Sequence, residues 1–177
     1  LLHHSRHPAR TGPDGALVPL DEQDRSRWDR ASIDEALPLV EASLRRRPVS
    51  PYAIEAAIAA LHARAENSAR TDWLQIAQLY RVLEASPHGS PVVSLNRGVA
   101  VALAGDIETG LGIVRALEPH LAGYAPLHVA KADLLRRLGR MEAARASYRR
   151  AIELTDNEVE KRFLAKKSRG LGESRTS

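Results

Sequence analysis

The sequence contains no cysteine, which excludes a disulfide framework, a zinc ribbon and a thiol nucleophile and fits a reducing cytoplasm. No apolar run approaches the roughly 20 residues needed to span a bilayer. The N-terminus also lacks the basic, then apolar, then small pattern of a signal peptide. A soluble cytoplasmic protein without a membrane partner is therefore expected. Neither a Gly-x-Ser-x-Gly elbow nor a Gly-rich phosphate loop is present. The nearest approach, Gly110-Leu111-Gly112, falls inside an amphipathic helical stretch and reads as a close-packing device. With no hydroxyl placed beside a base and an orienting acid, no enzyme activity is expected and no cofactor is implied.

Aromatic residues are also scarce, at 4%. With few β-formers and abundant Ala, Leu, Arg and Glu, the composition favours helix over sheet. The 177 residues, 44% of them hydrophobic, are enough for a sizeable core. The formal charge of +4 is uneven: residues 161–177 carry Lys161, Arg162, Lys166, Lys167, Arg169 and Arg175 against Glu173 alone. That basic end reads either as a solvated terminus or as a contact for nucleic acid or an acidic partner.

Residues 1–27 are broken by Pro8, Pro13, Asp14-Gly15 and Pro19, with a brief extended stretch expected at Ala16–Leu20. Leu1-Leu2-His3-His4-Ser5-Arg6 reads as the last turns of a helix already under way, so the chain reads as a fragment. From Asp29 onward the apolar residues recur at helical spacing, as in Ile33, Leu37, Val40 and Leu44. Ser50-Pro51 and Ser90-Pro91 each place a capping side chain before a proline at the first helical position. Thr71, Asp106 and Asn157 are candidate caps of three more helices, Asn157 with Glu160 in a capping-box arrangement. The spacing predicts helices near 29–46, 51–66, 72–86, 91–104, 107–118, 124–138, 141–154 and 158–168.

Gly105 and Gly139 are 34 residues apart, and each falls where a helix should end in a left-handed residue. Tyr80 and Tyr148 are separated by twice that period, which is the tetratricopeptide one. The clearest repeat is Ala125–Asp156, with Ala132, Gly139, Ala144, Tyr148 and Ala151 at small, small, small, aromatic and small positions. Pro91–Leu117 is a weaker copy, with Gly98, Gly105, Gly110, Val114 and Leu117. The earliest, about residues 51–86, keeps Tyr80 and lengthens its turn at Glu66–Arg70. A non-repeating helical bundle is the alternative. The repeat reading alone requires Gly98 and Ala132, Gly105 and Gly139, and Gly110 and Ala144 to occupy equivalent positions. The expected fold is all-α: about eight helices in tetratricopeptide-like stacked hairpins forming a right-handed solenoid, behind an irregular N-terminal segment. The expected divisions are 1–28 for that segment, 29–168 for the repeats and 169–177 for a flexible basic tail.

His3 and His7 could share one helix face as metal ligands, with His4 adjacent. No carboxylate or thiol is placed to complete the site, so no metal is implied. His62, His88 and His120 read as packing or solvent residues, with His128 left open. The densest polar cluster, Asp21 to Arg30, reads as a capping and ion-pairing segment in which Trp28 plugs the core. It also reads as a pocket rim, because Arg forks and carboxylates beside an aromatic bind polar ligands or acidic peptides. In stacked hairpins the first helix of each repeat lines the concave face. That places Leu95, Asn96, Val99 and Ala102 from one repeat, and Val129, Asp133, Arg136 and Arg137 from the next, in a groove suited to a peptide or protein segment.

Three runs carry a resemblance: Leu1–Arg6, then Asp14-Gly15-Ala16-Leu17-Val18-Pro19-Leu20, then Asp21 to Asp29 as D-E-Q-D-R-S-R-W-D. Together they resemble the C-terminal extension of a subgroup of bacterial extracytoplasmic-function sigma factors, in which a tetratricopeptide-like domain follows two promoter-binding regions. Pro51–His62, Thr71-Asp72-Trp73, Ser94–Val101 and Asn157–Leu164 resemble it too. The resemblance implies a regulatory domain that helps RNA polymerase initiate transcription at selected promoters. The partners it implies are the sigma regions of the same chain and, through them, RNA polymerase and promoter DNA. Those regions are absent from these residues, so no sigma activity is expected of this chain alone. The binding or interdomain residues it implies are Ser5, Arg6, Asp24, Arg25, Trp28, Asp29, Asn96 and Arg97, none of them catalytic. His4 stands where the family pattern has an acidic residue, and Pro8 interrupts its Arg- and Ala-rich stretch. A free-standing peptide-binding scaffold and a ligand-sensing domain are the alternatives.

Overall fold

The computed structural model describes residues 2–5, 7–9, 18, 23–46 and 48–171. Among them the regular structure is entirely helical. The chain divides into two compact units, Leu1–Gly89 and Ser90–Ser177. The stretch expected to form one repeat domain is thus shared between both units, and Leu2, Ala9 and Trp28 from before residue 29 pack into the first.

The first unit comprises α1 (Leu2–Ser5), 3-10 turns at His7–Ala9 and Arg25–Arg27, α2 (Arg30–Arg45), α3 (Pro51–Arg64), a 3-10 turn at Ser68–Arg70 and α4 (Trp73–Glu84). Its main core joins Trp28, Ile33, Ala36 and Val40 to Leu2 and Ala9 on one side and to Ala57, Ala60 and Ala63 on the other. Ser50 caps α3, accepting from the Ala53 amide, with Pro51 in the first turn as expected. For α4 the expectation was one residue early. The cap is Asp72, which accepts from the Gln75 amide, while buried Thr71 donates its hydroxyl to the Asn67 carbonyl. The long Glu66–Arg70 turn is filled by its own 3-10 turn, which Asn67 caps.

The second unit comprises α5 (Pro91–Leu103), α6 (Ile107–Ala116), α7 (Glu118–Leu121), α8 (Ala125–Arg137), α9 (Met141–Leu154) and α10 (Glu158–Gly170). Two structures 34 residues apart close its hairpins in the same way. Gly105 N–H donates to Ala102 and Asp106 N–H to Val101, while Gly139 N–H donates to Arg136 and Arg140 N–H to Leu135. These are Schellman closures, and they require a left-handed glycine; φ is +117° at Gly105 and +73° at Gly139. Inside the hairpins Gly98 and Gly110 are buried, as are Ala132 and Ala144. A Cβ built on Gly110 would sit 2.5 Å from the Gly98 carbonyl oxygen, so the first hairpin crosses more tightly than the second. The equivalences that distinguish repeats from a bundle are therefore present.

Tyr148 and Ala151 are fully buried with Ala132, and Leu164 of α10 packs into the same cluster. Burying one such Leu contributes about 2 kcal/mol, and this is what attaches α10 to the last hairpin. Asn157 caps α10 through the Val159 and Glu160 amides. The capping box closes indirectly: Thr155 donates its hydroxyl to Glu160, and its oxygen accepts from the Asn157 amide. The helix runs to Gly170, two residues beyond the expected end; residues 172–177, most of the expected tail, lie outside the described residues.

Candidate functional site

The Asp24–Asp29 segment is spent internally. Asp24 caps the 3-10 turn, accepting from Ser26 N–H and hydroxyl; the Ser26 hydrogen bonds, side chain first, hold its carboxyl below the ordinary carboxylate range. Asp29 caps α2 by accepting from the amide and the hydroxyl of Ser32. Trp28, 3% exposed, lies in the core. Arg25, also 3% exposed, lies with its guanidinium 5.1 Å from the Trp28 ring centre. Its Nη1 donates to the carbonyls of His62 (2.8 Å) and Ala65 (3.1 Å). Arg30 donates to Ala63 at 3.3 Å. Two arginines thus satisfy the last carbonyls of α3, where the helix dipole favours positive charge. Arg25 and Trp28 therefore serve the capping reading and offer a ligand no surface, whereas Asp24, Arg27 and Asp29 stay exposed. Ser5 is buried as well; its hydroxyl donates to Leu2, and its carbonyl accepts from the Asp29 amide. Arg6 lies outside the described residues, as do Asp14-Gly15 and all of Ala16–Leu20 except Val18.

The groove expected in the second unit is only partly open. Leu95 and Ala102 are buried in the core with Leu111, Val114 and Leu127. The reason is phase: the stripe Leu95, Gly98 and Ala102 faces inward, which leaves Asn96 exposed and Val99 and Arg97 half-buried. On α8, Val129 is half-buried while Arg136 and Arg137 are exposed. Asp133 is engaged. It accepts from the Tyr148 hydroxyl and lies 3.8 Å from both Arg136 Nε and Lys167 Nζ. Burial, reinforced by the Asp133 carboxylate, pushes the Tyr148 phenol well above its ordinary pKa. The result is a polar patch joining α8, α9 and α10, built to hold the helices together.

His62 is buried, 5.2 Å edge-on from Trp73, and the His128 ring lies 2.9 Å from the Ala122 carbonyl. His7 is exposed, and the side chain of His3 lies outside the described residues.

An apolar concavity lies elsewhere, in the first unit. A groove of about 310 Å³ runs along α2 and α3 beside α1, lined by Leu2, Ala36, Leu39, Val40, Tyr52 and Ala56, with Glu55 its charged member. Leu39 and Tyr52 are 60% and 70% exposed, unusual for residues of their size. The Tyr52 ring is steadied by an edge contact with His88 at 5.3 Å. Sequence reasoning missed both residues. The available signal was that Leu39 lies off the Ile33, Leu37, Val40 and Leu44 stripe, leaving a large apolar side chain with no place in the core.

With this geometry in view, the comparisons bear on the two ends of the chain separately. A family of unknown function, DUF6596, matches residues 1–44, the stretch containing the Arg25 and Trp28 segment. The tetratricopeptide repeat model matches residues 125–158, which is α8 with α9. The chain carries a tetratricopeptide-type repeat. Among curated proteins, uncharacterized protein R00370 of Rhizobium meliloti (strain 1021) is 46% identical over 164 residues, covering 93% of this chain and 38% of that protein. The chain thus spans under two fifths of the relative it matches. No solved structure matches. Among the described residues no helix is long and apolar enough to cross a membrane.

Proposed function

We propose that this helical-repeat chain is the regulatory domain of an extracytoplasmic-function sigma factor, working by docking and carrying no catalytic role. The observation that supports docking is the α2–α3 groove, on whose walls Leu39 and Tyr52 present apolar surface. The transcription setting rests on the Asp21–Asp29 segment, D-E-Q-D-R-S-R-W-D, and its resemblance. The partner is the pair of sigma regions joined to such a domain, and RNA polymerase and promoter DNA are engaged through them. Occupying the groove shifts the population of factors whose promoter-reading surfaces are exposed.

The test is transcription from a cognate promoter by a full-length factor containing this domain. The variants are Leu39→Glu with Tyr52→Glu, and deletion of the domain. Both side chains are exposed, so the double variant should retain its helicity while promoter output or its regulation changes several-fold. Unchanged output with both variants would sink the proposal. A free-standing peptide-binding scaffold is the second reading, favoured by the exposed Asn96, Arg136 and Arg137 of the second unit.

A further inference from the structure

The described residues ahead of α2 cannot hold a shape by themselves. They contribute a four-residue helix and two three-residue 3-10 turns, whereas isolated helices shorter than about 12 residues are marginal in water. What fixes them is attachment. Leu2, Ala9 and Trp28 enter the core of α2 and α3, and the Asp29 amide holds the Ser5 carbonyl at 2.9 Å. Arg25 reaches 37 residues ahead to the end of α3. By contrast the N-termini of α2, α3 and α4 are each capped from within their own sequence neighbourhood, by Asp29, Ser50 and Asp72.

From this contrast we propose that residues 2–5, 7–9 and 24–28 form one latch, held by Arg25 on the α3 carbonyls, that opens as a block while α2–α4 stay folded. Opening also removes Leu2 from the wall of the apolar groove, so the latch shapes one side of it. Arg25 is a positioning residue here. It acts by closing a helix end: the two N–H groups of Nη1 each take one carbonyl, while Cζ lies 5.1 Å from the Trp28 ring centre. The inference stands without the sigma-factor reading, since it concerns only how this chain opens.

The experiment is hydrogen exchange by mass spectrometry on the whole chain, comparing wild type with Arg25→Met and Arg25→Lys. Methionine retains most of the buried apolar volume and removes the donors; lysine keeps the charge but not the fork. For Arg25→Met, exchange over residues 2–5, 7–9 and 24–28 should speed up together by at least tenfold, with α2–α4 changing less than twofold and helical circular dichroism retained. Lys should fall between. A Trp73→Phe background, in which Trp28 is the remaining tryptophan, should show red-shifted emission on adding Arg25→Met. Unchanged protection over residues 2–5 and 7–9, or an equal loss across α2–α4, would overturn the proposal.

Discussion

One helix of the first unit, α3, ends by means opposite to those of α5 and α8 in the second. In the second, α5 and α8 close within six residues of their own sequence, by a glycine and two backbone hydrogen bonds repeated at a 34-residue interval. In the first, α3 ends on Arg25 and Arg30, supplied from 33 to 40 residues away. Local closure makes each hairpin self-sufficient, so that its stability depends on itself and its neighbour, as in repeat arrays. Distant closure ties the end of a helix to a segment with no stability of its own. The first unit should therefore be the one that a single substitution can open.

The largest test of that contrast is Trp28→Ala. Removing a fully buried tryptophan costs about 3–5 kcal/mol, and here the loss should fall on the first unit. Exchange over residues 24–28 should speed up by most of that loss, whereas urea unfolding followed by Trp73 emission, which reports α4, should move far less. Exchange protection in α8 and α9 should hardly change. A uniform loss across both units would contradict their independence. Next comes Gly110→Val in the tighter hairpin, where any Cβ meets the Gly98 carbonyl and Ala102 at 2.5–2.6 Å. Overpacking of that kind costs about 1–3 kcal/mol. Gly110→Ala should also destabilise, although alanine is the better helix former, whereas Ala144→Gly, at the equivalent place, should cost about 1 kcal/mol through helix propensity. If Gly110→Ala raised the melting temperature, the close crossing would be refuted.

What could be read from the sequence follows the same division. Gly105, Gly139, Ser50, Ser90, Asp106 and Asn157 announce themselves because a turn or a cap is decided by residues a few positions apart. Helices α5, α6, α8 and α9 were accordingly placed to within two residues. Helix α7 was missed because one turn after Ala116 does not interrupt the apolar period. Arg25 was legible as part of an unusual segment but not as a helix cap, since its partners are the backbone carbonyls of α3, and backbone carries no residue signature. Leu95 was assigned to a groove because a repeat frame gives the face of a helix only approximately. Rotation by one position separates buried Leu95 from exposed Asn96.

The closures themselves can be ranked. For Gly139→Ala the left-handed conformation at φ +73° costs about 1–2 kcal/mol, and Gly139→Asn should recover part of it because asparagine tolerates that region. At Gly105, φ is +117°, outside the range any side chain adopts comfortably. Gly105→Ala should therefore cost more than Gly139→Ala, and Gly105→Asn should rescue little. Thermal melts of the four variants decide this, and equal losses at the two glycines would mean that the closures relax freely.

The smallest expected effect separates the two hairpins by pH. Position 106 is an aspartate capping α6, whereas position 140, its equivalent, is an arginine that makes no side-chain cap. Hydrogen bonds from Thr109, side chain and backbone, lower the Asp106 carboxyl below the ordinary 3.8. A folded-state pKa below the unfolded one means the contribution is present above the unfolded value and is lost as pH falls through the folded one. Acid below about pH 4 should thus loosen the start of α6 before it affects the start of α9. Asp106→Asn keeps an acceptor oxygen and removes the titration, so it should abolish that difference while leaving neutral-pH stability nearly unchanged. Amide exchange at Thr109, followed from pH 5 downward in wild type and Asp106→Asn, reads this directly. If Thr109 protection were equally insensitive to acid in both proteins, the cap would not depend on the carboxylate charge, and the pH contrast between the two hairpins would disappear.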